Sequence, residues 1–171
     1  RTWIEAVRAG RTVATNGPLL FAEVDGQEPG SELSSRSQVT VEVDLATIAP
    51  VEVIEIIVDG DVAHTISVRE GEHQLTAQES IPVDGARWIA VRARGGKARY
   101  SGDNYTFAHT TPVYFTDAPP NDASRASADF LTAVIEEIWR RVDQRDAWLR
   151  PEDREVYRRH LDEALTRLAA N

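Results

Sequence analysis

The sequence predicts a mainly β protein, an immunoglobulin-like antiparallel β-sandwich followed by a C-terminal α-helical hairpin, and three observations carry that expectation. Short β-rich runs follow one another over residues 12–116, separated by Gly, Pro and Asp turn signals with no helical pattern between them. Polarity alternates with period 2 most clearly in residues 38–48, where Val39, Val41, Val43 and Leu45 fall on one side and Thr40, Glu42, Asp44 and Ala46 on the other. Beyond a Pro-rich stretch the apolar residues return at the 3.6-residue spacing of amphipathic helices.

Taken in order, Trp3, Ile4 and Val7 share one helical face, and Gly10 supplies a C-terminal stop. The chain opens at Arg1 and contains no Met, so residues 1–11 are expected to be the remnant helix of a missing upstream domain. Residues 12–24 read as two short strand pieces joined by a bend at Asn16-Gly17-Pro18. Residues 51–58 are nearly continuously apolar, with Glu52 and Glu55 as exceptions; Asp59-Gly60 then marks a tight hairpin into residues 62–68. Further runs are expected at 73–77, 87–94 and 106–116. Trp88 is read as an inward-facing core residue, and Pro112 as the sign of an edge strand or bulge. Residues 12–116 thus form the sandwich, 117–125 a linker, and 126–171 a two-helix extension.

In that extension Phe130, Leu131, Val134, Ile135, Ile138, Trp139 and Val142 make one stripe, and Ser124 or Ser127 is the expected N-cap. A second helix starts near Pro151 and presents Tyr157, Leu161, Ala164, Leu165 and Leu168. The connection at 145–150 is short enough to make the pair antiparallel. Two such helices need a partner surface, and three are open: the sandwich, the missing upstream domain, or a homodimer through these helices.

Composition narrows the chemistry. The net charge of −9 is spread over both parts: 10 basic against 16 acidic residues in 1–116, and 9 against 12 in 117–171. Neither part has the basic patch a phosphate backbone requires, so no nucleic-acid partner is expected. No apolar run reaches the roughly 18 residues of a membrane span, so no membrane partner is expected and the chain is read as soluble, with its compartment open. Cysteine is absent, which excludes disulfides and thiolate chemistry. His64, His73, His109 and His160 show no metal-ligand spacing, and no serine sits in a G-x-S-x-G elbow. Gly95-Gly96-Lys97 lacks the spacing of a phosphate loop. No catalytic residue, metal ligand or cofactor is therefore expected within these residues. Two polar motifs interrupt the apolar β sequence, Thr15-Asn16-Gly17-Pro18 and His109-Thr110-Thr111-Pro112-Val113-Tyr114. They read either as a bend and a strand irregularity, or as two segments that meet at one end of the sandwich and face a neighbouring domain.

The run Trp3 to Leu20, containing Thr15-Asn16-Gly17-Pro18, resembles the junction that follows the catalytic domain in CehA/McbA-type metallohydrolases of the polymerase and histidinol phosphatase (PHP) superfamily. Three later pieces resemble the same family in order: Val24-Asp25-Gly26 with Pro29-Gly30, Val53-Ile54-Glu55-Ile56-Ile57-Val58-Asp59-Gly60, and Ala108-His109-Thr110-Thr111-Pro112-Val113-Tyr114. The resemblance covers most of residues 3–116. It implies a parent enzyme whose PHP-like domain holds divalent metals and activates water to hydrolyse esters, carbamates or phosphoesters. The paired histidines and Asp-x-His of that domain are missing here, so these residues alone are expected to be inactive, an accessory domain packed on the missing N-terminal catalytic domain. Thr15, Asn16, Gly17, Pro18, His109 and Thr110 are then the expected active-site wall or interdomain contact, with Asn16 and His109 nearest the parent's active site. The competing expectation is a free-standing immunoglobulin-like binding or adhesion module for a glycan or protein ligand.

Overall fold

A computed structural model describes residues 2–99, 102–120 and 122–169. They divide into two compact units, Arg1–Pro119 and Pro120–Asn171. The first unit runs α1 (Thr2–Arg8), β1 (Val13–Thr15), β2 (Leu19–Val24), β3 (Glu32–Leu33), β4 (Gln38–Ala46), β5 (Val53–Val58), β6 (Asp61–Ser67), β7 (Gln74–Pro82), β8 (Trp88–Gly95), β9 (Thr106–Thr110) and β10 (Val113–Phe115).

The strands form two sheets. In the smaller, β4 lies between β2 and β7, all antiparallel. In the larger, β5 lies between β6 and β8, and β8 is followed by β9 and β10 end to end, which pair outward with β1 and β3. Alternate residues of both sheets enter one hydrophobic core: Leu20, Val39, Val41, Val43, Leu45 and Ile81 from the smaller, Ile54, Ile56, Ile89, Val91, Ala108 and Val113 from the larger. This is the layering of a β-sandwich, and the phase read from residues 38–48 is the one found, with Val39, Val41, Val43 and Leu45 inward. Each Val, Leu or Ile so buried contributes about 1.5–3 kcal/mol.

Local chemistry fixes the connections. Asp59 and Gly60 both take positive φ, 51° and 103°, as a two-residue hairpin turn demands. The Asp59 carboxylate also accepts the N–H groups of Arg87 and Trp88, tying the turn to β8. The Asn16-Gly17-Pro18 bend does more than divide a strand, because β1 belongs to the larger sheet and β2 to the smaller. At the end of α1 the Gly10 N–H donates to the Val7 carbonyl and the Arg11 N–H to that of Ala6, a Schellman closure with Gly10 left-handed at φ 71°. That helix end seats directly on Gly30, where a Cβ would lie 2.1 Å from the Ala9 carbonyl oxygen.

Four strand-level expectations change. β7 extends to Pro82, well past residue 77, because the ladder with β4 continues from Gln74↔Ala46 to Pro82↔Gln38 and overrides the polar sequence of 78–80. The run 106–116 is broken at Thr111-Pro112, yet this is no edge: β8 flanks it on one side and β1 and β3 on the other. Pro112 lacks an N–H for the ladder, and its carbonyl accepts from Gly30 instead. The sandwich is not wholly antiparallel, since β10 pairs with β3 in parallel. Trp88 is half-buried on the face away from the core, paired with Tyr114, because Ile89, Val91 and Ala93 set the phase of β8.

The second unit is a hairpin of α2 (Asp122–Arg145) and α3 (Pro151–Ala169). Its first helix begins before residue 126, so Ser124 and Ser127 lie inside it and not at its N-cap; Arg125 bonds to the Asp122 carboxylate and the Pro120 carbonyl in the first turn. The linker is correspondingly shorter, and Ala118 belongs to the sandwich core. Antiparallel order follows from two cross-helix ion pairs, Asp143 with Arg154 and Glu136 with Arg158. Trp139, Trp148 and Tyr157 stack in series at 6.3 and 5.8 Å, and the Arg154 and Arg158 guanidiniums each lie 5.2 Å from the Trp139 ring.

Candidate functional site

The two polar motifs are brought together. β1 and β9 pair antiparallel with Thr15 opposite Ala108, Ala14 opposite His109 and Val13 opposite Thr110. The Thr15 hydroxyl closes the bend by donating to the Pro18 carbonyl at 2.6 Å and accepting the Gly17 N–H at 3.0 Å, while Pro18 is fully buried. Asn16 is used completely: its amide donates to the Asp103 carboxylate and the Tyr105 carbonyl, both at 2.9 Å, and its side-chain oxygen accepts the Phe107 N–H at 2.8 Å. These contacts lock the segment before β9, which is a structural task. Thr110 points into the core and its hydroxyl accepts the Val91 N–H. Of the six residues, His109 alone presents a half-buried ring on the outer face of the larger sheet, its Nδ1 2.6 Å from the Thr110 carbonyl oxygen.

Around His109 that face is chemically distinctive. From Tyr105, just before β9, the rings of Tyr105, Phe107 and His109 follow one another at 6.5 and 6.1 Å. The next strand sets Arg92 opposite His109 and Arg94 opposite Phe107. One strand further, Glu55 is 7% exposed and receives both guanidiniums: Arg92 Nε at 2.7 Å and Arg94 Nε at 2.9 Å, with a second, shorter contact from Arg94. The Arg94 hydrogen bond holds the Glu55 carboxyl far below its ordinary value, at about 2, against burial that would raise it; Arg92 adds in the same direction. The patch thus pairs two cations with one anion beside a row of ring faces. Arg-x-Arg on β8 and a lone Glu inside the apolar run 53–58 were its signal in the sequence, because a charge in such a run has to be paired.

A second surface lies around α1. Trp3, Ile4 and Val7 are 76%, 52% and 47% exposed, and on β2 Leu19 and Phe21 are 56% and 63% exposed. Beside them Ala6, Arg11, Val13, Phe21, Glu28 and Pro29 line a groove of about 470 Å³, spanned by an Arg11–Glu28 ion pair at 3.2 Å.

Among the described residues no group of three or more His, Asp or Glu side chains is placed to hold a metal ion. Comparison with protein-family models, curated proteins and solved structures finds no match to this chain.

Proposed function

We propose that this chain is the non-catalytic accessory domain of a metal-dependent hydrolase, packing through α1 and β2 against a PHP-like catalytic domain that precedes it. The observation that supports this most is the exposed apolar face Trp3, Ile4 and Val7 of α1, held in place by the seating of the helix end on Gly30. Large apolar side chains grouped on one surface mark an interaction site, and a domain joined ahead of α1 would be tethered beside this one. The motifs that resemble the metallohydrolase family serve this arrangement, since Thr15-Asn16-Gly17-Pro18 redirects the chain from β1 to β2 and Pro29-Gly30 receives the helix end. We also read the sandwich as immunoglobulin-like: β2, β4 and β7 take the places of strands A, B and E, and β5, β6, β8 and β9/β10 those of C, C′, F and G.

The test is the complete open reading frame. It should encode clustered His and Asp ligands upstream, bind divalent metal and hydrolyse aryl esters, carbamates or phosphoesters, while residues 1–171 alone do neither. Stoichiometric metal with turnover in residues 1–171, or an upstream region lacking such ligands, would defeat the proposal. The Tyr105–Phe107–His109 row beside Arg92 and Arg94 favours one other reading, a free-standing module binding a glycan or an anionic protein segment. Saturable binding to a glycan array, abolished by Phe107→Ala, would select it.

A further inference from the structure

The hydrogen-bond phase of the smaller sheet leaves one strand edge open. The Asp25 N–H donates to the Thr40 carbonyl, and on the other side of β4 the Thr47 and Val83 N–H groups bond to the carbonyls of His73 and Ser37. Bonded and non-bonded pairs alternate along an antiparallel ladder. Leu19, Phe21 and Glu23 therefore turn their main-chain groups to β4, while Leu20, Ala22 and Val24 turn theirs away from it. Val24 closes on Gln27 in both directions, and Pro18 has no N–H. What stays open is the N–H and C=O of Leu20 and of Ala22, one residue on either side of Phe21. Both residues line the groove of about 470 Å³ although they are only 1% and 8% exposed, so it is their backbone that faces it.

The other described edges are guarded. β1 and β3 span only three and two residues. β6 is bulged against β5 at Ile56 and Ile57, and β7 ends in Pro82 and carries Glu79 on its inward side, 3.5 Å from His64. Bulges, inward charges and prolines keep a sheet edge from recruiting another strand. β2 has none of them over its six residues: its ladder with β4 is regular, and its inward side is Leu20, Ala22 and Val24.

We infer that β2 pairs antiparallel with β2 of a second copy of this chain about a two-fold axis at Phe21, joining two three-stranded sheets into one continuous sheet. In this register Leu20 meets Ala22 of the second copy and Ala22 meets its Leu20, so every open N–H and C=O of the edge is bonded and each contact is made twice. Moving the axis by one residue sets an open group against Pro18 or against the closed Val24. Phe21 stands against Phe21 of the second copy as an aromatic cross-strand pair, and the two Glu23 carboxylates fall at opposite ends of the seam. The joined sheet has the guarded β7 at both ends, so pairing stops at two chains. Side chains stand out of the plane of a sheet, which leaves the outer face of β2 and the apolar face of α1 open to a neighbouring domain. The inference is independent of the hydrolase reading, since it uses main-chain groups of the β2 edge.

Sedimentation and light scattering of the whole chain from micromolar to millimolar concentration test it, together with cysteine crosslinking. The mass should rise towards twice the 19.0 kDa of one chain. Ala22→Pro removes an edge N–H without touching the bonds from β2 to β4, and should hold the mass at 19.0 kDa with the far-ultraviolet circular dichroism retained. Phe21→Lys, at a 63% exposed position, should do the same and leaves the core untouched. Gln78→Pro, the matching change on the edge of β7, should leave the dimer intact. The chain has no Cys, so single cysteines report the register. Phe21→Cys should give a disulfide-linked dimer on mild oxidation, and Glu23→Cys, opposite Leu19 of the second copy, should not. A mass of one chain at every concentration would overturn the inference. So would a dimer that survives both Ala22→Pro and Phe21→Lys, or equal crosslinking of the two cysteine variants.

Discussion

Glu55 lies between Ile54 and Ile56, both buried in the core, yet on the opposite side of its strand its carboxylate is enclosed by Arg92 and Arg94. Its folded pKa of about 2 is below the ordinary 4.5, so its contribution to stability is complete above about pH 4.5 and is lost as pH falls towards 2. Arg94 is 52% exposed and water screens it, which leaves on the order of 2 kcal/mol of the shift as stability. Glu55→Gln should therefore unfold more easily than the parent at pH 7 by about that amount, and the two urea-denaturation midpoints should converge as pH is lowered from 5 to 2. Midpoints that stay parallel over this range would mean that the carboxylate is not held by its arginines. Removing the charge also frees two cations beside Phe107 and His109, so any anion affinity of this face should rise in the variant.

Among the described helices, α1 is the shortest. Seven residues cannot hold a helix by themselves, and its closure relies on Gly10 and its seat on Gly30. Gly30→Ala meets both obstacles, a φ of 84° and the Ala9 carbonyl at 2.1 Å, and should cost about 2–4 kcal/mol and detach α1. Gly26→Ala shares the left-handed φ, at 73°, with nothing near the new methyl, and should cost only about 1 kcal/mol. Thermal midpoints together with amide exchange at Ala9 to Arg11 check the pair; equal losses at both glycines would show that α1 is not seated there. Gly10 was legible as a helix stop because left-handed φ is a local property, and Asp59-Gly60 was legible as a hairpin for the same reason. Residues 39–45 announced their inward face through alternation. The role of Gly30 was not legible, because a close approach between backbones twenty residues apart leaves no local pattern. Trp88 was misplaced since a large aromatic fits either face and only its neighbours Ile89 and Val91 decide. The candidate site was partly legible: the interruptions at Thr15–Pro18 and His109–Thr110 pointed to one place, but the partners of Glu55 come from another strand.

At the scale of the whole molecule, among the described residues the core made by Leu20, Val41, Ile54, Ile89, Val113 and Ala118 lies within the first 119, as do all the strand ladders. The hydrophobic term that opposes chain entropy in that unit comes from its own side chains. Residues 1–119 made alone should fold and melt in one cooperative transition, followed by the fluorescence of Trp3 and Trp88, the two tryptophans they retain. Their midpoint should lie within a few degrees of the sandwich transition in the whole chain, and dye-accessible apolar surface should be confined to the neighbourhood of α1 and β2. A broad, non-cooperative melt would show that the helices complete the sandwich core.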